Sequence, residues 1–114
     1  MSNQASTGDI SSFLAQAKRL IAAGDYVFVP RGKNLQALLD HGLTVKDAKD
    51  EMLGLMVGDY FKGPKQDFDR SQPCDIWEFK KTVDGEQFYV KLKIQNRNGK
   101  DILKCLSFHE DDYS

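Results

Sequence analysis

The stretch Asp75–His109, DIWEFKKTVDGEQFYVKLKIQNRNGKDILKCLSFH, contains three runs of alternating apolar residues separated by Asp84-Gly85 and Asn98-Gly99. Asp-Gly and Asn-Gly are the preferred pairs for two-residue hairpin turns, because both central residues of such a turn need positive φ. The spacing therefore predicts an antiparallel meander of three strands. In the middle run Phe88, Val90, Leu92 and Ile94 point one way, while Gln87, Tyr89, Lys91, Lys93 and Gln95 point the other. With Asp84-Gly85 as the turn, Val83 lies opposite Glu86, Phe79 opposite Val90 and Trp77 opposite Leu92, so both strands share one apolar face. On the other face Lys80 lies opposite Tyr89 and Glu78 opposite Lys91, with Ile76 and Lys93 continuing the row. Directly opposed side chains sit roughly 5 Å apart at Cβ, so these polar groups form one cluster.

The second hairpin is less determined. A two-residue Asn98-Gly99 turn pairs Arg97 with Lys100, which places Phe108 opposite Tyr89 and His109 opposite Phe88, on the core face. A bulge, or a loop differing by one residue, moves His109 beside Tyr89 instead.

Working upstream, residues 1–9 are expected to be a flexible N-terminus and residues 10–114 a single domain. Phe13, Leu14, Ala17, Leu20 and Ile21 form one stripe of a helix from Ser11 to Ala23, ended by Gly24. Asp25–Val29 is a short extended piece closed by Pro30, and Lys33–Gly42 a short helix with Gly42 as its stop. Thr44 and Asp47 form a capping pattern that opens a helix running to about Met56. Val57–Asp75 then reads as a long polar loop with two prolines, the kind of loop that is more often functional than filler. Helices first and strands afterwards imply an α+β domain, with N-terminal helices on one face of an antiparallel C-terminal sheet.

A formal net charge of -1 argues against indiscriminate coating of nucleic acid, but the charge is unevenly placed. Tyr60–Phe108 carries ten Lys and Arg against seven acids, and the chain ends in an acidic tail. Cys74 and Cys105 have no zinc-ligand spacing with each other or with His41 and His109, so two reduced thiols and no metal or cofactor are expected. Asp67 and Asp69 resemble a metal-binding pair only superficially, because no third ligand is placed by spacing. No apolar run approaches the ~20 residues of a membrane helix, and no signal-peptide core is present, so a cytoplasmic location is the default expectation.

The Tyr89 face has two readings. Opposed Glu and Lys are common on a solvated sheet face, where each pair contributes a few tenths of a kcal/mol. Alternatively, the face is a shallow cationic surface with an embedded tyrosine, suited to holding phosphates and stacking a base. Pattern alone leaves both open.

The order of GDYFKGP (58–64), DIWEFKK (75–81), FYVKLKI (88–94) and CLSFH (105–109) resembles the MqsR-type (motility quorum-sensing regulator) mRNA interferases, toxins of toxin–antitoxin pairs related in fold to the RelE ribonucleases. The similarity extends over about Phe13 to His109. It implies a RelE-like fold and mRNA cleavage, on or off the ribosome, with the RNA 2′-hydroxyl as nucleophile and no metal ion. Its implied partners are mRNA, the ribosome and a cognate antitoxin protein. Carried over position by position, it marks Lys62, Tyr89 and Lys91. His109 stands where the best-known toxin has Lys, and Glu78 where that toxin has Gln, so the division of labour differs.

Such a reaction needs a base for the 2′-OH, an acid for the leaving 5′-oxygen and cations for the phosphorane. His109 and Glu78 are the proton-exchange candidates, and Tyr89 orients the phosphate or donates a proton. Lys62, Lys80 and Lys91 supply charge, with Lys93 more peripheral. Trp77 reads as core, and Arg31 and Lys33 as a solvated loop that could add to an RNA channel. The competing expectations are a non-catalytic RNA- or protein-binding module on the same face, or an inactive toxin relic.

Overall fold

The computed structural model describes residues 5–66 and 75–111; Asp67, Asp69 and Cys74 lie outside them. Three helices, α1 (Thr7–Ala22), α2 (Gly32–Asp40) and α3 (Val45–Leu53), precede four of five strands, the first strand lying between α1 and α2. The strands are β1 (Tyr26–Phe28), β2 (Tyr60–Gln66), β3 (Asp75–Val83), β4 (Glu86–Arg97) and β5 (Lys100–Glu110). They form one sheet in the order β1-β5-β4-β3-β2, antiparallel except that β1 runs parallel to β5. This is the expected α+β arrangement, with a sheet two strands wider than the meander. No described helix is long and apolar enough to cross a membrane.

Helix α1 begins one turn before the expected Ser11. The Ser6 hydroxyl accepts the Asp9 amide at 3.1 Å, satisfying one of the amide groups that a helix start leaves without a partner. Its buried stripe, Ile10, Phe13, Leu14, Ala17, Leu20 and Ile21, lies against the sheet residues Phe79, Val90, Leu92, Leu103 and Phe108. Trp77 joins this core by stacking on Phe13, with centroids 4.6 Å apart. At α3 the Thr44 hydroxyl accepts the Asp47 amide and the Asp47 carboxylate accepts the Thr44 amide, the reciprocal cap its sequence predicts.

The expected loop Val57–Asp75 is corrected in its first half. After a single 3-10 turn, Val57–Asp59, the chain becomes strand β2 and pairs with β3. Pro64 and the charges there reflect an edge position, which a proline can occupy because its missing N–H costs no ladder bond. Two register shifts break the pairing: Tyr60 opposes Phe79, Lys62 opposes Glu78 and Lys65 opposes Ile76. At the second, Gly63 has φ +119°, and a Cβ there would lie 2.6 Å from the Ile76 carbonyl oxygen, so only glycine fits.

Both hairpin turns form as expected, with positive φ at Asp84, Gly85, Asn98 and Gly99. The whole β3–β4 register matches, from Val83–Glu86 to Ile76–Lys93. Between β4 and β5, pairing starts with Arg97–Lys100 and holds to Leu92–Cys105, then shifts so that Lys91 opposes Ser107 and Tyr89 opposes His109. Leu106 is the inserted residue. The bulge decides the open question of the second hairpin, putting His109 on the side of Tyr89.

Asn34 of α2 holds that bulge. Fully buried, it donates to the Leu106 carbonyl (3.1 Å) and the Val29 carbonyl (2.9 Å), and it accepts the Phe108 amide (3.0 Å). One side chain thereby satisfies backbone groups that the interrupted ladder leaves without strand partners. Asn34→Ala is expected to lower the unfolding free energy by about 2–4 kcal/mol, since leaving one such group buried and unsatisfied costs about 1–3 kcal/mol. Urea denaturation measures it. A loss below about 0.5 kcal/mol, the range of inconsequential surface changes, would show that the bulge stands without Asn34.

Candidate functional site

The polar face of the sheet carries its side chains in rows fixed by register. One row crosses four strands, Lys62, Glu78, Lys91 and Ser107, and the next holds Lys80, Tyr89 and His109. Lys62 owes its place to the β2 irregularity. Tyr60 faces the core, where its ring meets Trp77 and Phe79, and strict alternation would turn Lys62 the same way. The inserted Phe61 reverses that direction.

Together these rows floor a cleft of about 550 Å³. Lys62, Lys80, Tyr89, Lys91 and His109 line it, joined by Glu78 and Ser107. Arg31 and Lys33 from the start of α2 contribute to one wall and Phe61 and Asp111 to the others. Five of the lining side chains are cationic and two are carboxylates, an excess of three positive charges. The sequence reading of Arg31 and Lys33 as a solvated loop is thus refined, since both reach the cleft. Lys93, by contrast, is buried one row away beside Ile76 and Lys104 and does not line it.

At the centre, the Tyr89 hydroxyl donates a hydrogen bond to Glu78 Oε1, and Lys65 Nζ lies 3.2 Å from Glu78 Oε2. Glu78 is only 1% exposed, so its carboxylate is enclosed between a phenol and an ammonium. That geometry suits it to hold Tyr89 in place and leaves it little room to reach a substrate proton. Lys91 Nζ sits 5.6 Å from the Tyr89 ring centroid. Lys80 Nζ lies 4.0 Å over the Phe61 ring and 2.7 Å from Asp111 Oδ2, which fixes its direction.

The His109 ring packs beside Tyr89 with centroids 5.8 Å apart. Its Nδ1 is 2.9 Å from the Glu110 carbonyl oxygen. A carbonyl can only accept, so Nδ1 carries the hydrogen and Nε2 is the basic nitrogen of the neutral ring. The bulge thus places His109, and a backbone carbonyl selects its tautomer.

Lys91 records the electrostatic character of the cleft. Burial, first, and the charges of Lys65, Arg31 and Lys62 hold its pKa below the ordinary lysine value, while Glu78 pulls the other way. Crowded cations with part of their hydration removed make a site that gains from an incoming anion.

No protein-family model matches the chain, and no curated protein matches it significantly. The chemistry of the cleft is therefore read from its own residues. Sequence reasoning missed Phe61, Lys65, Ser107 and Asp111. The first two fell inside the expected loop. Ser107 could have been found only by placing the bulge, and Asp111 was hidden in the acidic tail.

Lys91→Met is expected to raise the urea midpoint, because it relieves this crowding. A depressed ammonium pKa costs stability below the folded value, and the cost fades as pH rises from the folded value to the unfolded one. The gain from Lys91→Met should accordingly shrink above the folded pKa, which an NMR titration of the Lys91 side chain locates. A lowered midpoint would mean that attraction to Glu78 outweighs the repulsion.

Proposed function

We propose that the protein is an RNA-cleaving toxin of the MqsR type, whose cleft holds an RNA phosphate between Tyr89, His109 and the surrounding lysines. The observation that supports this most is the meeting of Tyr89 and His109 on the floor of a strongly cationic cleft. His109 presents a basic nitrogen, and Glu78 fixes the Tyr89 hydroxyl. Side chains for proton transfer and for anion stabilisation are the two requirements of RNA transesterification.

In this reading His109 Nε2 takes the 2′-OH proton as the 2′-oxygen attacks phosphorus. The P–O5′ bond breaks, leaving a 2′,3′-cyclic phosphate on one fragment and a 5′-OH on the other. The leaving 5′-oxygen receives its proton from Tyr89, whose hydroxyl turns from Glu78 to the leaving oxygen and whose phenolate draws charge support from Lys91. Lys62 and Lys91 flank the phosphate position across the Glu78 row, and Lys80 is aimed by Asp111 and Phe61. Glu78 is a positioning residue in this scheme. Arg31 and Lys33 extend the cation track for neighbouring phosphates, consistent with a single-stranded RNA lying across the sheet. The positive charge that stabilises the phosphorane comes from side chains, so cleavage needs no added divalent ion.

As part of this proposal, a cognate antitoxin restrains the activity, and the site of action is the cytoplasm, with mRNA as substrate on or off the ribosome. Purified protein is expected to cleave single-stranded RNA in the presence of a chelator, giving cyclic-phosphate ends. Tyr89→Phe and His109→Ala should each lower the rate by about 10²–10⁴-fold, the range for a lost acid or base. Both variants should still bind RNA. Intact RNA after prolonged incubation, with binding retained, would overturn catalysis and leave a binding module on the same face.

A further inference from the structure

On the opposite side of the sheet, away from the cleft, lies a second cluster of titratable groups. His41 follows α2 as its C-cap, and its ring packs edge-on to Phe88 with centroids 5.0 Å apart. Three carboxylates surround it. Nδ1 is 2.9 Å from Asp84 Oδ2, while Nε2 is 2.6 Å from Glu110 Oε1 and 3.9 Å from Glu86 Oε2. A protonated ring would still leave the group with a formal charge of 1 − 3 = −2. The imidazole is 9% exposed, whereas Asp84 and Glu86 are more than half exposed, so the cluster is walled on the histidine side and open to solvent on the other.

We propose that His41 Nε2, Glu86 and Glu110 form a binding site for a divalent transition-metal ion of the zinc class. One ligand atom from each of the three lies within 4.8 Å of the others. In a tetrahedral zinc site, with bonds of about 2.0–2.2 Å, ligand atoms stand roughly 3.3 Å apart. Glu110 must therefore recede a little from Nε2 and Glu86 must close in. The solvent-exposed Glu86 side chain, next to the hairpin turn, has room to do so. Water supplies the fourth position.

Without metal the cluster is an ion pair, and its geometry lets a divalent ion replace the Nε2 proton between the ring and the two carboxylates. Asp84 accepts from Nδ1 and Glu110 from Nε2, so the metal-free ring donates from both nitrogens, and a bound ion would take the place of the Nε2 proton while Asp84 keeps the Nδ1 hydrogen. A carboxylate behind the second ring nitrogen is the usual outer partner of a metal-bound histidine. An imidazole nitrogen among the ligands selects zinc or its neighbours over magnesium and calcium, which prefer oxygen alone. The ligands come from three places, the end of α2, the start of β4 and the end of β5, so a bound ion would tie the helix to the hairpin. Glu110 also sits between His109 and Asp111, so the ion would clamp the strand end that carries them. This site does not depend on the RNA-cleaving reading.

The test is calorimetric titration of zinc into the metal-free chain, with melting temperature as a second readout. One ion per chain should bind and raise the melting temperature by mass action. Glu86→Gln and Glu110→Gln are exposed or half-exposed changes compatible with folding, and each should weaken binding at least about 10-fold, as should Asp84→Asn through the imidazole. His109→Ala and Cys74→Ser should bind zinc as the parent does. The proposal is overturned if zinc binds no more tightly than about 1 mM, a level at which ΔG of binding is only about −4 kcal/mol. It is also overturned if magnesium binds as well as zinc, or if Glu86→Gln and Glu110→Gln leave the affinity unchanged.

Discussion

The three hydrogen bonds of Asn34 decide which face His109 occupies. A buried amide that satisfies the Leu106 and Val29 carbonyls and the Phe108 amide makes an interrupted ladder tolerable inside the protein. Because side chains alternate with a period of two, the inserted residue transfers every later side chain of β5 to the opposite face. Phe108 thereby reaches the core, and Ser107 and His109 reach the cleft. A polar residue on a helix is coupled in this way to the chemistry on the far side of the sheet.

The cleft works against the stability of the chain that builds it. Glu78 is enclosed, Lys91 is partly dehydrated among other cations, and Lys80 is tied to Asp111. The phenylalanines and aliphatic residues on the other face, packed under α1, offset these costs. Such a division, with one face stabilising and the other electrostatically strained, is what a preorganised anion site requires, because the donors must be in place before the anion arrives.

Much of the fold was legible because two turns carry unambiguous chemistry. Asp84-Gly85 fixes eight opposed pairs, and the cluster of Glu78, Lys80, Tyr89 and Lys91 follows directly from it. Helix ends were readable wherever a side-chain cap marks them, as Thr44 does, and Ser6 was missed only because the apolar stripe starts later. What was not legible has a common cause. Strand β2 is an edge strand whose Gly63-Pro64 and lysines look like loop composition. Strand β1 was readable as the extended piece Asp25–Val29, but its parallel pairing was not, because the partner is distant in sequence. The two inserted residues, Phe61 and Leu106, show in the sequence only as adjacent apolar pairs, Tyr60-Phe61 and Cys105-Leu106, which do not say how the strand accommodates them. Lys62 and His109, both delivered by those insertions, were therefore site residues that the family resemblance could name but that pattern could not place.

The irregular geometry of β2 has a consequence beyond the cleft. As the last strand of the sheet among the described residues, it presents an edge that another extended chain could join, which is a standing aggregation hazard. Pro64 removes one donor from that edge, the register shifts bend it, and Lys62 and Lys65 surround it with charge. The segment that carries a lysine into the cleft is thus also the one that discourages sheet-to-sheet association. A substitution that straightened β2 would withdraw Lys62 from the cleft and expose a flat pairing edge in the same step, so a less cationic cleft and the onset of self-association should appear together.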